Sequence, residues 1–133
     1  MRYHQDMQTI TELREHSLSK RGTTEDFPFG FETLVLRVRG KIFALTDITQ
    51  DPITVNLKCN PERAIKLREE HPDHIQGGWH MNKKHWNTVL LDGTLPDGLV
   101  RELIDHSYAL VAKGLPKQDR EDLGLVKQAI VSD

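Results

Sequence analysis

Between Leu34 and Lys58 the chain alternates apolar and polar residues in three short runs, and this pattern constrains its fold more than any other feature. Successive side chains of a strand point to opposite faces, so alternation produces one apolar and one polar surface. In Ile53–Lys58 the residues Ile53, Val55 and Leu57 fall on one side, with Thr54, Asn56 and Lys58 on the other. Leu34, Leu36 and Val38 separate in the same way from Arg37 and Arg39, and a further run covers Lys41 to Thr46. Gly40-Lys41 predicts a type II′ reversal between the first two runs, with glycine at the first central position. The expectation is an antiparallel meander with one buried face.

Helical patterns flank it. Thr9 or Thr11 can cap a helix running to about Lys20, with Ile10, Leu13 and Leu18 on one face and Gly22 beyond its end. Asn60-Pro61-Glu62 is a strong start signal. Asparagine caps, proline loses no needed N–H, and glutamate suits the positive helix end. That helix should stop near His71, because Pro72 disfavours helical geometry just before it. A loop from Asp73 to Lys84 contains Gly77-Gly78, and a strand follows from Trp86 to Leu91, closed by Asp92-Gly93. A last helix opens near Pro96-Asp97, carries Leu99, Val100, Leu103, Ile104, Leu110 and Val111 on one stripe, and ends at Gly114 and Pro116. The fold class is therefore α+β. Residues 1–118 form one domain, and 119–133 form a tail, read as a loosely docked helix from the weak rhythm of Leu125, Val126 and Ile130.

Composition excludes several classes. Eighteen Lys and Arg stand against twenty Asp and Glu, a net charge of −2, so any nucleic-acid role must rest on a local patch. The single cysteine, Cys59, has no partner for a disulfide or a zinc pair. No signal peptide is present and no apolar run approaches the roughly 18 residues that span a bilayer, which points to the cytoplasm and to no membrane partner.

Three stretches together carry a resemblance. Thr24-Glu25-Asp26-Phe27-Pro28-Phe29-Gly30, then His80-Met81-Asn82-Lys83-Lys84-His85-Trp86-Asn87-Thr88-Val89, then Glu102-Leu103-Ile104-Asp105-His106-Ser107-Tyr108 resemble the MmcQ/YjbR family in content and order. The resemblance covers roughly Thr9 to Lys117. It implies a CyaY-like architecture, an antiparallel sheet with helices packed on one side. It also implies a double-wing mode of DNA binding, in which β-hairpins grip the duplex, although fold alone does not determine function. Lys20-Arg21-Gly22 departs from the family, whose members often place a proline before the glycine.

Two segments are candidate nucleic-acid or anion sites. In the loop, Lys83 and Lys84 can neutralise phosphates, His80, Asn82 and His85 can hydrogen-bond, and Trp79 or Trp86 can stack on a base. The plainer alternative makes Trp86 and Met81 core and the lysines a solvated rim. Trp86 heads the strand that continues through Val89 and Leu91, so its ring is expected to pack against the helices. In the hairpin, Arg37, Arg39 and Lys41 can lie against phosphates or merely guard an edge from aggregation. The partner is DNA, bound weakly and without sequence preference, or else a protein or a small anionic ligand.

No cofactor, metal site or catalytic residue is assigned. His71 and His74 are separated by Pro72, and His80 and His85 lack the spacing that sets two imidazoles over one ion. Frataxin-like proteins of CyaY-like fold hold iron on an acidic first helix. Here Glu12 and Glu15 are mixed with Arg14, His16, Lys20 and Arg21. Cys59 reads as a small core residue. Glu25-Asp26 reads as part of a turn, with Phe27 and Phe29 plugging the core.

Overall fold

The three alternating runs lie together in a six-stranded antiparallel sheet in a computed structural model, which describes residues 8–125. The elements are α1 (Ile10–Leu18), β1 (Thr23–Asp26), β2 (Thr33–Val38), β3 (Lys41–Asp47) and β4 (Ile53–Lys58). They continue as α2 (Pro61–Glu70), β5 (Ile75–Gly77), β6 (Trp86–Leu91), α3 (Asp97–Lys113) and α4 (Lys117–Asp122). Across the sheet the order is β1-β2-β3-β4-β6-β5. Helix α3 packs on β2, β3 and β4, α1 on β1 and α3, and α2 on β5. The helices therefore cover one face, and the opposite face is left open, as the resemblance implies.

The local signals act as expected at several ends. Thr9 caps α1, its hydroxyl accepting from the Glu12 N–H, and Leu13 is fully buried. The Asn60 side chain accepts from both Glu62 N and Arg63 N, and His71 closes α2. Strand β4 alternates buried and half-buried residues along its whole length. Cys59 is buried among core residues, and burial pushes its thiol pKa up, which suits a packing role.

The turn chemistry differs from expectation. Val38 pairs with Lys41, so the reversal is Arg39-Gly40 and not Gly40-Lys41. Both residues are left-handed, Arg39 at φ 48 and Gly40 at φ 86, which is the type I′ signature. Glycine supplies the second of these at no steric cost, while arginine occupies a region uncommon for side-chain-bearing residues.

Strand β3 also carries a bulge. Leu36 pairs with Ala44 but Arg37 pairs with Ile42, leaving Phe43 as the extra residue. Its ring is fully buried and meets Tyr108 of α3 edge-on, with centroids 5.4 Å apart. Its carbonyl, freed from the ladder, accepts from the buried Ser107 hydroxyl at 2.6 Å, and Ser107 in turn accepts from Lys58 N at 2.9 Å. One serine thus ties α3 to the bulge and to the end of β4.

Two strands escaped the sequence pattern. Thr23–Asp26 is the edge strand β1 and not a turn, and Ile75–Gly77 is the opposite edge, β5. Nor do the phenylalanines beside β1 plug the core. Phe27, Phe29 and Phe31 are 44%, 66% and 81% exposed, because the β1–β2 connection projects past the end of the sheet. Trp86 is corrected as well. It is half-buried, and alternation from the helix-facing Asn87 sets it on the open face. Beyond α4, Leu123 is buried and Leu125 exposed, while Val126 and Ile130 lie outside the described residues.

The α2 N-terminus makes stability pH-dependent. His106 of α3 is partly buried, and its Nε2 accepts from Asn60 N at 3.2 Å. Burial first, then the nearby Arg63 charge, lowers its pKa from the ordinary histidine value. The unfolded chain therefore binds the proton more readily. The stabilising contribution is present above about pH 6.5 and is lost as pH falls through the lower folded value. Urea midpoints measured from pH 7.5 to 5.5 should fall, and His106→Gln should flatten that fall.

Candidate cleft on the open sheet face

Arg68 of α2 anchors the loop between β5 and β6. It donates to Asn87 Oδ1 at 2.7 Å, to the Trp86 carbonyl and to the Lys83 carbonyl. Within this loop Gly78 approaches β6 more closely than Gly77 approaches its neighbour. A Cβ on Gly78 would lie 2.8 Å from Trp86 Cβ and 3.1 Å from its carbonyl oxygen, so only glycine fits. The chain then turns tightly, Met81 N donating to Gly78 O with His80 at φ 61. Trp79 N donates at 2.8 Å to the Thr88 hydroxyl, which bonds to Asn56. Thr88 and Asn56 face each other across β4 and β6, so these bonds fold Trp79, His80 and Met81 over the open face.

The result is a cleft of about 540 Å³. Trp79, Met81 and His80 form one wall and Phe29 of the β1–β2 connection another. Ile42 and Leu45 of β3, with Thr54 and Asn56 of β4, line it as well. Asp47 and Gln50 add polar groups at the end of β3. Hydrogen bonds from Thr49 hold the Asp47 carboxyl below the usual carboxylate range. A smaller cavity of about 190 Å³ lies against Trp79, bordered by Thr54, His74, Gln76, Thr88 and Leu90. Trp79 lines both, and its Nε1–H donates to Gln76 Oε1 at 3.3 Å.

The residues proposed from sequence fall in two groups. Arg37, Arg39 and Lys41 lie on the β2–β3 hairpin. His80, Asn82, Lys83, Lys84 and His85 lie in the β5–β6 loop, with β4 between the two groups in the sheet order. Within the described residues several of these side chains already have partners. Arg37 pairs with Asp26 at 3.0 Å and donates to Gly40 O, and Arg39 pairs with Asp122 at 3.1 Å. The Lys83 ammonium donates to Gly78 O, and the Asn82 side chain accepts from Lys84 N. Lys41, Lys84 and His80 are exposed, His80 on the cleft wall.

Sequence reasoning missed Phe29, Ile42, Leu45, Asp47, Gln50, Thr54 and Asn56 as a set. One signal was present. Phe27-Pro28-Phe29-Gly30-Phe31 concentrates apolar surface around proline and glycine, where no strand or helix period can bury it. Among the described residues no group of three or more His, Cys, Asp or Glu could hold a metal ion, and no helix is long and apolar enough to cross a membrane.

A family model described as YjbR matches residues 18–110, which include the Phe29 wall and the Trp79 loop. The chain belongs to the YjbR family. It is 34% identical over 113 residues to Escherichia coli K12 YjbR, an uncharacterised protein, covering 85% of this chain and 95% of that one. The crystal structure of a Deinococcus radiodurans protein with the family-model domain DUF419 superposes with a TM-score of 0.84. It is 48% identical, over 91% of each chain. A Pseudomonas syringae protein of known structure gives a TM-score of 0.64 at 28% identity, over 77% of this YjbR-family chain and 98% of its own.

Proposed function

We propose that this domain is a binding module whose ligand, a small ring-bearing molecule without net negative charge, sits in the open-face cleft. The observation that supports this reading is the convergence of Trp79, Phe29, Met81, Ile42 and Leu45 on one concavity of about 540 Å³. That is the size range of small-molecule sites, which are mostly apolar with a few placed polar groups. Aromatic walls favour a planar ring, and Asn56, Gln50, Asp47 and His80 supply hydrogen bonds for orientation. Asp47 is the acid of the cleft and no Lys or Arg lines it, which disfavours an anion.

A second reading is weak DNA binding through the hairpin and the loop. The strand register favours it, since Val38↔Lys41 and Lys58↔Trp86 put both segments at the same end of the sheet. Against it, Arg37 and Arg39 are engaged by carboxylates that a phosphate would first have to displace.

Two titrations separate the readings. The neutral ring dye Nile red should bind the folded protein, and Phe29→Ala with Trp79→Ala should weaken it roughly tenfold, as loss of two aromatic anchors does. Equal dye binding by the double variant, or none by the wild type, would overturn the cleft reading. Fluorescence anisotropy with labelled duplex at low salt tests the other, and no binding at about 100 μM protein would end it.

A further inference from the structure

We infer that the shallow pocket between the α1–β1 turn and the β2–β3 hairpin is a phosphate site, held shut by the carboxylates of α4. It encloses about 530 Å³ and is lined by Arg21, Gly22, Thr23, Arg39 and Gly40, with Asp122 and Leu123 closing it. It lies apart from the open-face cleft and does not depend on that reading.

Three observations converge. Two guanidinium-bearing residues line one concavity, and guanidinium forks match phosphate oxygens. The Thr23 hydroxyl, on the same wall, is buried and has no hydrogen-bond partner among the described residues. Finally, Arg39 is engaged by acids, Asp122 at 3.1 Å and Asp119 at 4.0 Å. A carboxylate offers arginine the same planar pair of acceptors that a phosphate does, so the two acids occupy the place of the ligand.

The closure is built by close contacts at glycines. Arg21 Nη1 donates to the Leu123 carbonyl at 3.0 Å. A Cβ on Gly22 would lie 2.5 Å from Leu123 Cδ2, and one on Gly124 would lie 2.7 Å from Arg21 Nη1. Both glycines have positive φ, 73 and 75, a backbone conformation that side-chain-bearing residues rarely adopt, so each segment's own backbone favours glycine there. The ion pairs themselves are half-exposed and individually weak, which leaves them open to displacement by a multiply charged anion.

The test uses the full chain carrying Asp119→Asn with Asp122→Asn. Calorimetry with pyrophosphate, and anisotropy with a labelled duplex at low salt, compare it with wild type. Pyrophosphate should bind the variant roughly tenfold more tightly, the scale of two released surface pairs. Arg39→Ala in the same background should remove the gain. A parallel gain for duplex identifies the phosphate as nucleic-acid backbone, and a gain for pyrophosphate alone identifies a free phosphate ligand. Unchanged affinity for both anions, with circular dichroism and urea midpoint as in wild type, would overturn the site. If the double variant is unstable, Asp122→Asn alone is measured, and the same pair of outcomes decides. Nile red binding should be unaffected throughout, which keeps this result separate from the cleft.

Discussion

Replacing Phe43 by alanine is expected to destabilise the fold by about 3–5 kcal/mol, the range for a fully buried aromatic. The ring has no exposure, and its loss opens a void beneath Tyr108, whose edge contact at 5.4 Å disappears with it. Urea unfolding followed by circular dichroism measures the effect. Phe43→Leu should cost far less, because most of the volume is retained. A Phe43→Ala protein within about 1 kcal/mol of wild type would show that the layer collapses around the vacancy, which close-packed interiors rarely do.

Ser107→Ala should be the next most damaging change, at about 3 kcal/mol. Its hydroxyl is the partner of two backbone groups, the Phe43 carbonyl and the Lys58 N–H. Removing it strands both, and each buried unpaired group costs about 1–3 kcal/mol. The side chain shrinks by one atom only, so packing contributes little. The same urea titration checks the result, and a change below about 0.5 kcal/mol would mean that the bulge is held by other means. Because the hydroxyl bridges α3 to two strands, the loss should appear as faster unfolding, and stopped-flow measurement of the unfolding limb tests this.

Much of the frame was legible in the sequence. Ile53–Lys58 and Trp86–Leu91 are strands with the expected ends, and Asn60, Pro61 and Pro72 delimit α2. These elements carry their own periodicity or punctuation. Thr23–Asp26 and Ile75–Gly77 do not. Each is an edge strand with a single neighbour, and β1 has no fully buried residue, so neither run imprints an apolar alternation. The error at Trp86 has a different origin. Trp86 lies at odd separations from Val89 and Leu91, which alternation assigns to the opposite face, so placing its ring against the helices follows its bulk and not its register. The cleft was least legible, since Phe29, Leu45, Asn56 and Trp79 are distant in sequence and meet only through the register of the sheet and the folding back of one loop. Ser107 shows the same limit. Nothing in a helical stripe marks a serine as the partner of a carbonyl that a bulge has freed.

The bulge has a bearing on how this sequence is to be compared with its relatives. Phe43 resets the parity of β3, so that Ile42 and Leu45 share the cleft although their separation is odd. Removing one residue from this hairpin would exchange the two faces on one side of the cut, turning Leu45 and Asp47 toward the helices or Ile42 away from the cleft. Strand length here is inherited information as much as residue identity is. A gap placed one position wrong in an alignment between Arg39 and Ala44 would match cleft residues to core residues, and variation at the site would then be mistaken for variation in packing.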